Sequence, residues 1–395
     1  MLEWRSLESN IWKIHLRSML ASFTLFTPVL VLFFQENGLS MTEVTILQSA
    51  YSVAVILLEV PSGYFADLFG RRTSLTISGI FLASGIGVYS LGTGFYDFLL
   101  GELIFAVGGS LESGSASALI YDTLEDLGKE DLYQEIWGKT SYYSLMSVAL
   151  ASILGGFIGD ITLRATLFGM IPFYLILAPL SLSLREPRRH EEVSEEASKN
   201  VKGVFEYCIR NKRLRWLIIY SAVIAGSLKA GYFLYQPYFK ITGLDVSLFG
   251  LVFAGLNVIS AISSHQAHKI EEILGQRNAL ISLMVVTASG FFLMGHFLVS
   301  FAFLFAGLHN IVRGASKPII SDYINGMVSS DRRSTFLSTK NLVSRILYAM
   351  AFPIIGVITD SFGYQEAFMV LGVTVIVAGT TSLFLLKLSG IFTKD

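Results

Sequence analysis

The sequence is poor in charged residues. Of its 395 residues only 15% are Asp, Glu, Lys or Arg, whereas 53% are hydrophobic. Soluble domains usually contain about 25% charged residues, so this composition excludes an ordinary water-soluble globule. Each helical crossing of a bilayer takes about 20 apolar residues, so a chain of this length has room for twelve crossings and short loops.

The sequence also has little cysteine and no excess of positive charge. Cys208 is the single cysteine, which excludes an intramolecular disulfide, and a net charge of -1 leaves no basic excess for nucleic-acid binding. The sequence shows no nucleophile–base pair, nucleotide-binding loop or metal-ligand motif. We therefore predict a protein that is not an enzyme and that needs neither a metal nor another cofactor.

Twelve apolar segments follow one another in two sets of six. They lie near residues 12–35, 43–66, 73–92, 97–124, 134–159, 164–184, 216–239, 246–270, 278–299, 301–327, 338–359 and 366–388. This pattern predicts an all-α polytopic membrane protein with an N-terminal six-helix bundle (1–184), a cytoplasmic linker (185–215) and a C-terminal six-helix bundle (216–395). Helical spacing of apolar residues around Phe205 predicts an amphipathic surface helix in the linker.

Lysine and arginine are distributed unequally between the two sets of loops. One set, which includes the linker, contains Arg71–Arg72, Lys129, Lys269–Arg277 and Arg332–Arg333. The opposite loops contain little beyond Arg164 and Lys240. By the positive-inside rule we predict that both termini are cytoplasmic and that the protein spans a plasma (inner) membrane.

The two halves repeat each other. Gly114–Asp122 corresponds to Gly314–Asp322, and Gly156–Asp160 corresponds to Gly356–Asp360, each two hundred residues later. Internal repeats of this kind are typical of transporters in which two related bundles rock about a central site.

A pattern of glycine and charged residues occupies the loop after the second segment. Gly63, Asp67, Gly70, Arg71 and Arg72 stand there in the order and spacing of the signature loop that the sequence resembles, that of the major facilitator superfamily. The resemblance implies twelve helices in two pseudo-symmetric bundles and secondary active transport by alternating access. It also implies that these five residues form a cytoplasmic conformational latch, in which Gly63 permits close helix approach and Asp67 faces a helix N-terminus.

Three ionisable side chains lie deep within apolar segments. Glu112 is in segment 4, Lys229 in segment 7 and Arg313 in segment 10. Charges inside a membrane usually face a cavity and a partner. The resemblance implies that segments 1, 4, 7 and 10 line the central cavity, and segment 1 adds the polar residues Thr24 and Arg17.

On segments 7 and 10, further polar residues recur at helical spacing around Lys229 and Arg313. His309, Arg313 and Lys317 recur every four residues, which predicts one basic face on segment 10. Tyr232 and Gln236 follow Lys229 at three and seven residues, which predicts a polar stripe on segment 7. These six residues and Glu112 are the candidates for substrate binding and proton coupling.

Each candidate also has a structural interpretation. Glu112 either carries a proton or forms a fixed salt bridge with Arg313, and Lys229 and Lys317 either face the cavity or reach the membrane interfaces by snorkelling. We predict a monomeric, proton-coupled exporter of a small organic solute, anionic or amphipathic, with protons or another coupling ion and the lipid bilayer as its partners. A multidrug/proton antiporter for cationic lipophilic drugs and a non-transporting receptor or scaffold remain as alternatives.

Overall fold

The computed structural model describes residues 6–188, 211–328 and 333–389, and within these ranges the regular secondary structure is helical. The helices of the first half are α1 (Ser9–Ser22), α2 (Leu30–Glu36), α3 (Met41–Phe69), α4 (Arg71–Leu91), α5 (Phe95–Glu112), α6 (Ser115–Asp126), α7 (Tyr133–Ile161), α8 (Leu163–Phe168) and α9 (Ile171–Leu182), with a short 3-10 turn at Glu130–Leu132. Those of the second half are α10 (Lys212–Ile241), α11 (Val246–His296), α12 (Phe303–Asn325), α13 (Arg333–Phe362) and α14 (Tyr364–Leu388).

The described residues divide into two compact units. Unit 1 comprises the described parts of Met1–Leu39, Ala50–Glu192 and Asp245–Ala254, and unit 2 comprises those of Ser40–Ser49, Val193–Leu244 and Gly255–Asp395. The first turns of α3 thus belong to unit 2, and those of α11 belong to unit 1. The predicted bundle borders at 184 and 216 stay predictions, and the predicted amphipathic helix around Phe205 lies outside the described residues.

Nine helices within the described ranges are long and apolar enough to cross a bilayer. Three features explain the difference from the twelve predicted segments. α11 contains two segments that meet at Gly275, whose backbone is not helical (φ 70°). The first segment is divided between α1 and α2, and α12 is not among the nine because polar residues such as His309, Asn310 and Arg313 lower its mean hydropathy.

Two segments that the sequence predicts as continuous are broken inside the membrane region. The first stops being helical over 23–29, where Pro28 lacks a backbone N–H and disfavours helical geometry at the preceding residue. The fourth is divided into α5 and α6 at Ser113 and Gly114. Gly114 has φ +80°, a conformation that glycine adopts without the strain that a Cβ atom would cause.

Close contact between backbones explains several glycines of unit 1. A Cβ atom on Gly155 of α7 would overlap the carbonyl group of Leu25, in the break between α1 and α2. A Cβ atom on Gly79 of α4 would lie 2.8 Å from the backbone nitrogen of Ala178 in α9. The small residue therefore allows each helix to lie directly against its neighbour.

A carboxylate caps the start of α3 within unit 2. Asp360 of α13 accepts hydrogen bonds from the backbone N–H groups of Met41 (2.9 Å) and Thr42 (2.8 Å). The first N–H groups of a helix have no partner inside the helix and favour a negative charge. This capping contact gives the repeated Asp360 a structural role that the sequence repeat did not reveal.

The contact at Gly155 can be tested by adding a single methyl group. We expect Gly155→Ala to lower the thermal unfolding midpoint of the purified protein, by the equivalent of about 1–3 kcal/mol, because the methyl group has no free space. Gly87→Ala in α4 is the matched control, since a Cβ atom there would meet nothing within 4 Å. Equal midpoints for the two variants would contradict the proposed backbone contact.

Candidate functional site

A buried ion pair joins α1 to the end of α5 in unit 1. The Nη1 atom of Arg17 lies 2.6 Å from Oε1 of Glu112. The Arg17 side chain is 1% exposed, whereas that of Glu112 is 25% exposed. One partner is therefore dry, and the other can be reached by solvent.

Three helices besides α1 fix the guanidinium group of Arg17. Its Nε atom donates to Oγ of Ser181 in α9 at 2.8 Å, and its Nη2 atom donates to the carbonyl oxygen of Leu75 in α4 at 3.1 Å. With Glu112 of α5, these bonds use the planar donor set that makes arginine suitable for a buried position. Arg17 is thus the polar centre around which α1, α4, α5 and α9 meet.

A cavity of about 330 Å³ lies beside the exposed part of Glu112. Its lining residues all belong to unit 1 and come from α1, the α5–α6 junction and α7. They are Ser18, Ser22, Glu112, Ser113, Gly114, Ala116, Ser117, Trp137 and Ser144. Five of the nine are serines, so hydroxyl groups dominate the polar surface of this cavity.

The break between α5 and α6 creates one wall of the cavity. Ser113 ends α5 with a bond from its N–H to the carbonyl oxygen of Gly109 (2.9 Å), and the Ser117 hydroxyl donates to the carbonyl oxygen of Gly114 (2.9 Å). Irregular backbone at membrane depth is tolerated where it lines a cavity or is buried in protein. Discontinuous helices of this kind often mark the binding sites of transporters.

Two of the three residues that were predicted for the basic face of α12 lie on its exposed side. Arg313 and Lys317 are exposed, and Arg313 donates from Nη2 to Oδ1 of Asn257 at 2.5 Å within unit 2. Within unit 1 the salt-bridge partner of Glu112 is Arg17. A salt bridge from Glu112 to Arg313 would join the two units and stays a prediction.

His309 does not share the accessible face of α12. It is 2% exposed, its Nδ1 atom lies 2.6 Å from the hydroxyl of Tyr235, and its Nε2 atom lies 3.0 Å from the carbonyl oxygen of Thr287. Both ring nitrogens are therefore engaged by protein groups in the core of unit 2. The predicted basic face is wrong at His309. Every fourth residue shifts slightly around the helix axis, so His309 lies in the packed interior, whereas Arg313 and Lys317 lie on the exposed face.

The predicted stripe on α10 is also divided. Lys229 is exposed, and its Nζ atom lies 4.0 Å from the ring centre of Tyr348 in α13, a cation–π contact. Tyr232 is half-buried, whereas Gln236 is only 1% exposed. Lys229 and Tyr232 thus retain exposed surface, whereas Gln236 is a core residue in this structure.

The predicted latch residues form a charged cluster in unit 1. Arg71 pairs with Asp67 at 2.7 Å, and its Nε atom lies 3.9 Å from Oδ2 of Asp122. Gly70 has φ +98° and lets the chain turn sharply between α3 and α4. The expected role of Gly63 is not seen, because a Cβ atom there would meet none of the described residues within 4 Å.

The structure adds Glu186 to this cluster. Its two carboxylate oxygens accept the backbone N–H groups of Arg71 (2.6 Å) and Arg72 (2.9 Å), so Glu186 caps the start of α4. Arg72 in turn donates from Nη2 to the carbonyl oxygen of Leu182 at 2.6 Å, at the end of α9. No local pattern predicts the capping role of Glu186, because it lies more than a hundred residues from the helix that it caps.

Comparison with known proteins identifies the family of the chain. Residues 18–267 and 230–391 match the sequence profile of the Major Facilitator Superfamily. The chain belongs to this superfamily. The predicted all-α fold of twelve transmembrane helices in two six-helix bundles is thereby confirmed, as is the resemblance based on the signature loop.

Individual members of the superfamily are distant in sequence. The chain is 20% identical over 365 residues to the uncharacterized MFS-type transporter YxaM of Bacillus subtilis (strain 168), covering 89% of this chain and 90% of that protein. It is 24% identical over 254 residues to the nitrite extrusion protein of the same organism, covering 62% and 60%. The crystal structure of the nucleoside transporter NupG has a TM-score of 0.78 at 16% identity, covering 96% of this chain and 99% of that one.

The ion pair at the cavity can be tested by a double-mutant cycle. We expect Glu112→Leu to destabilise the protein by about 3–5 kcal/mol, because it leaves the dry guanidinium of Arg17 without its counter-charge. The double variant Arg17→Met/Glu112→Leu should recover most of this loss, measured as thermal unfolding in detergent. A double variant no more stable than Glu112→Leu would contradict the coupling of the two residues.

The cap on α4 can be tested separately. Glu186→Gln should lower the unfolding midpoint by the equivalent of about 1 kcal/mol, because an amide oxygen is a weaker cap than a carboxylate at a helix N-terminus. Glu135→Gln is the matched control, since Glu135 forms only an exposed pair with Lys139 (2.6 Å). If both variants melt alike, Glu186 does not stabilise the start of α4.

Proposed function

We propose that the protein is a proton-coupled secondary transporter that exports a small organic solute by alternating access. The observation that carries the proposal is the asymmetry of the Arg17–Glu112 pair, in which a dry guanidinium holds a carboxylate that borders a cavity. A carboxyl group that exchanges protons must be reached by solvent, and its charge must matter to the packing around it. Glu112 meets both requirements.

The coupling step follows from these contacts. Ionised Glu112 compensates the charge of Arg17. The guanidinium group of Arg17 also donates hydrogen bonds to the Ser181 hydroxyl and to the Leu75 carbonyl oxygen. Protonation of Glu112 removes that compensation and leaves a buried cation, which favours a rearrangement of α1 relative to α4, α5 and α9. Proton binding would thus be linked to the conformational equilibrium of unit 1.

The proposed substrate is anionic or amphipathic. Support comes from the exposed bases Lys229, Arg313 and Lys317 of unit 2 and from the half-buried ring of Tyr232. One relative is named for the extrusion of nitrite, an anion, which favours export of an anionic group here. His309 and Gln236 would act by supporting the packing around these residues rather than by contact with substrate.

We propose that both termini are cytoplasmic, on the distribution of lysine and arginine, and that the transporter is a monomer in a plasma (inner) membrane. The cluster of Asp67, Gly70, Arg71 and Arg72, with Gly63 in the preceding turn, is the proposed conformational latch. Its support is the network of ion pairs that ties the α3–α4 turn to Asp122 at the end of α6.

A second candidate function is proton-driven export of cationic lipophilic drugs. The observation that favours it is that Glu112 is the acidic residue on the cavity wall and would attract a cation if Arg17 moved away. The two candidates differ in the charge of the solute that drives proton movement, so a single assay distinguishes them.

The test is proton flux in vesicles that contain the purified protein and a pH-sensitive dye. Organic anions and cationic drugs of similar size are added to wild type, Glu112→Gln and the control Glu135→Gln. We expect an anion to drive proton movement in wild type and the control, and the rate to fall at least tenfold, an effect of about 1.4 kcal/mol, in Glu112→Gln. A response to cations would favour the second candidate.

Two other results would overturn the proposal. If wild type and Glu112→Gln respond alike, Glu112 is only the structural partner of Arg17. If no solute moves protons, and Asp67→Asn at the proposed latch changes no measured property, a receptor or scaffold role is the better explanation.

A further inference from the structure

We infer that the serine-lined cavity of unit 1 binds the uncharged, polyhydroxylated part of a solute such as a polyol or sugar derivative. This inference deepens the proposed function, and it rests on that function only for the statement that the bound molecule is transported. It assigns a chemical class of ligand to this cavity.

Hydroxyl groups are the first reason. Ser18 and Ser22 from α1, Ser113 and Ser117 from the α5–α6 junction, and Ser144 from α7 approach the cavity from three directions. A serine hydroxyl can donate one hydrogen bond and accept two, and it rotates to suit its partner; that of Ser117 already donates to the carbonyl oxygen of Gly114 and can still accept. Five hydroxyl groups around one cavity favour a ligand that itself carries several hydroxyl groups.

The balance of charge is the second reason. Glu112 is the one charged residue among those that line the cavity, and Arg17 compensates its charge at 2.6 Å. The lining contains no Lys or Arg, so an anionic group finds no partner there. A cationic group would have to compete with Arg17, which three other helices hold in place. An uncharged ligand faces neither difficulty.

Trp137 is the third reason. It packs against the apolar cluster that includes Ile14 and Leu119, it stacks on Tyr133 with an interplanar angle of 7°, and it lines the cavity. An indole is a rigid amphipathic group with an apolar face and one N–H donor. The C–H face of a sugar ring or a polyol chain matches that combination, because its hydroxyl groups remain free to reach the serines.

The size of the cavity agrees with this class. Its volume of about 330 Å³ is near the lower end of the range for small-molecule sites, which is about 300–1,000 Å³. It therefore has room for one monosaccharide-sized molecule or for one such part of a larger solute. It has no room for a large lipophilic drug within unit 1.

The test uses Trp137 as its own reporter. The sequence contains four tryptophans, and the variant Trp4→Phe/Trp12→Phe/Trp216→Phe retains only Trp137. We expect sorbitol to change the fluorescence of this variant in a saturable manner. The measurement needs no membrane or proton gradient, so its failure is distinct from failure of the flux assay.

Serine variants connect the signal to the cavity. Ser22→Ala and Ser144→Ala should each weaken sorbitol binding about threefold to tenfold, as expected for the loss of one hydrogen bond. Ser152→Ala is the matched control on α7, because its hydroxyl bonds to the carbonyl oxygen of Val148 and lies outside the cavity. Thermal midpoints equal to that of the parent show that each variant is folded.

Charged analogues of the same length test the uncharged character of the site. Gluconate and glucamine differ from sorbitol only in bearing a carboxylate or an amine at one end. We expect both to show the same dependence on Ser22 and Ser144, and neither to bind more tightly than sorbitol.

Three results would overturn the inference. The first is no saturable response to sorbitol. The second is an equal loss in the Ser152→Ala control. The third is tighter binding of glucamine that depends on Glu112, which would indicate a cation site.

Discussion

The packing of α1, α4, α5 and α9 in unit 1 depends on the buried cation Arg17. Arg17 lies in the membrane region with its side chain 1% exposed, and a charge in such a place is stable only if protein groups replace its water. Ser181, Leu75 and Glu112 do so from α9, α4 and α5. Because these partners lie on three helices, a change in the charge of Glu112 affects the packing of all of them.

Interrupted helices give this arrangement its chemical use. The break at Ser113 and Gly114 opens a wall of serine hydroxyls beside Glu112, and the break at 23–29 brings the Leu25 carbonyl group against Gly155. A continuous helix would satisfy its own backbone groups and present only side chains. At the break between α5 and α6, irregular backbone thus forms one wall of a polar cavity, as is common in membrane transporters.

Much of the fold could be predicted from the sequence. Low charge, twelve apolar segments, the internal repeat and the loop from Gly63 to Arg72 all indicate the superfamily, because each reflects a constraint that acts locally along the chain. The candidate site was predicted less completely. The rarity of charge in membrane segments points to Glu112, Lys229 and Arg313, but it does not single out Arg17, and His309 and Gln236 are buried.

The sequence by itself determined that this protein crosses a membrane repeatedly, in two related halves, with a loop of glycine and charged residues between α3 and α4. The length of the apolar segments, the internal repeat and the spacing of the glycines are properties of the linear sequence. They are visible without knowledge of which residues contact one another in the fold. Only the tertiary structure decided that Glu112 pairs with Arg17, that Glu186 caps α4 and that five serines share one cavity. The ion pair and the helix cap join residues 95 and 115 positions apart, and the packing of helices, which no local pattern encodes, brings them together.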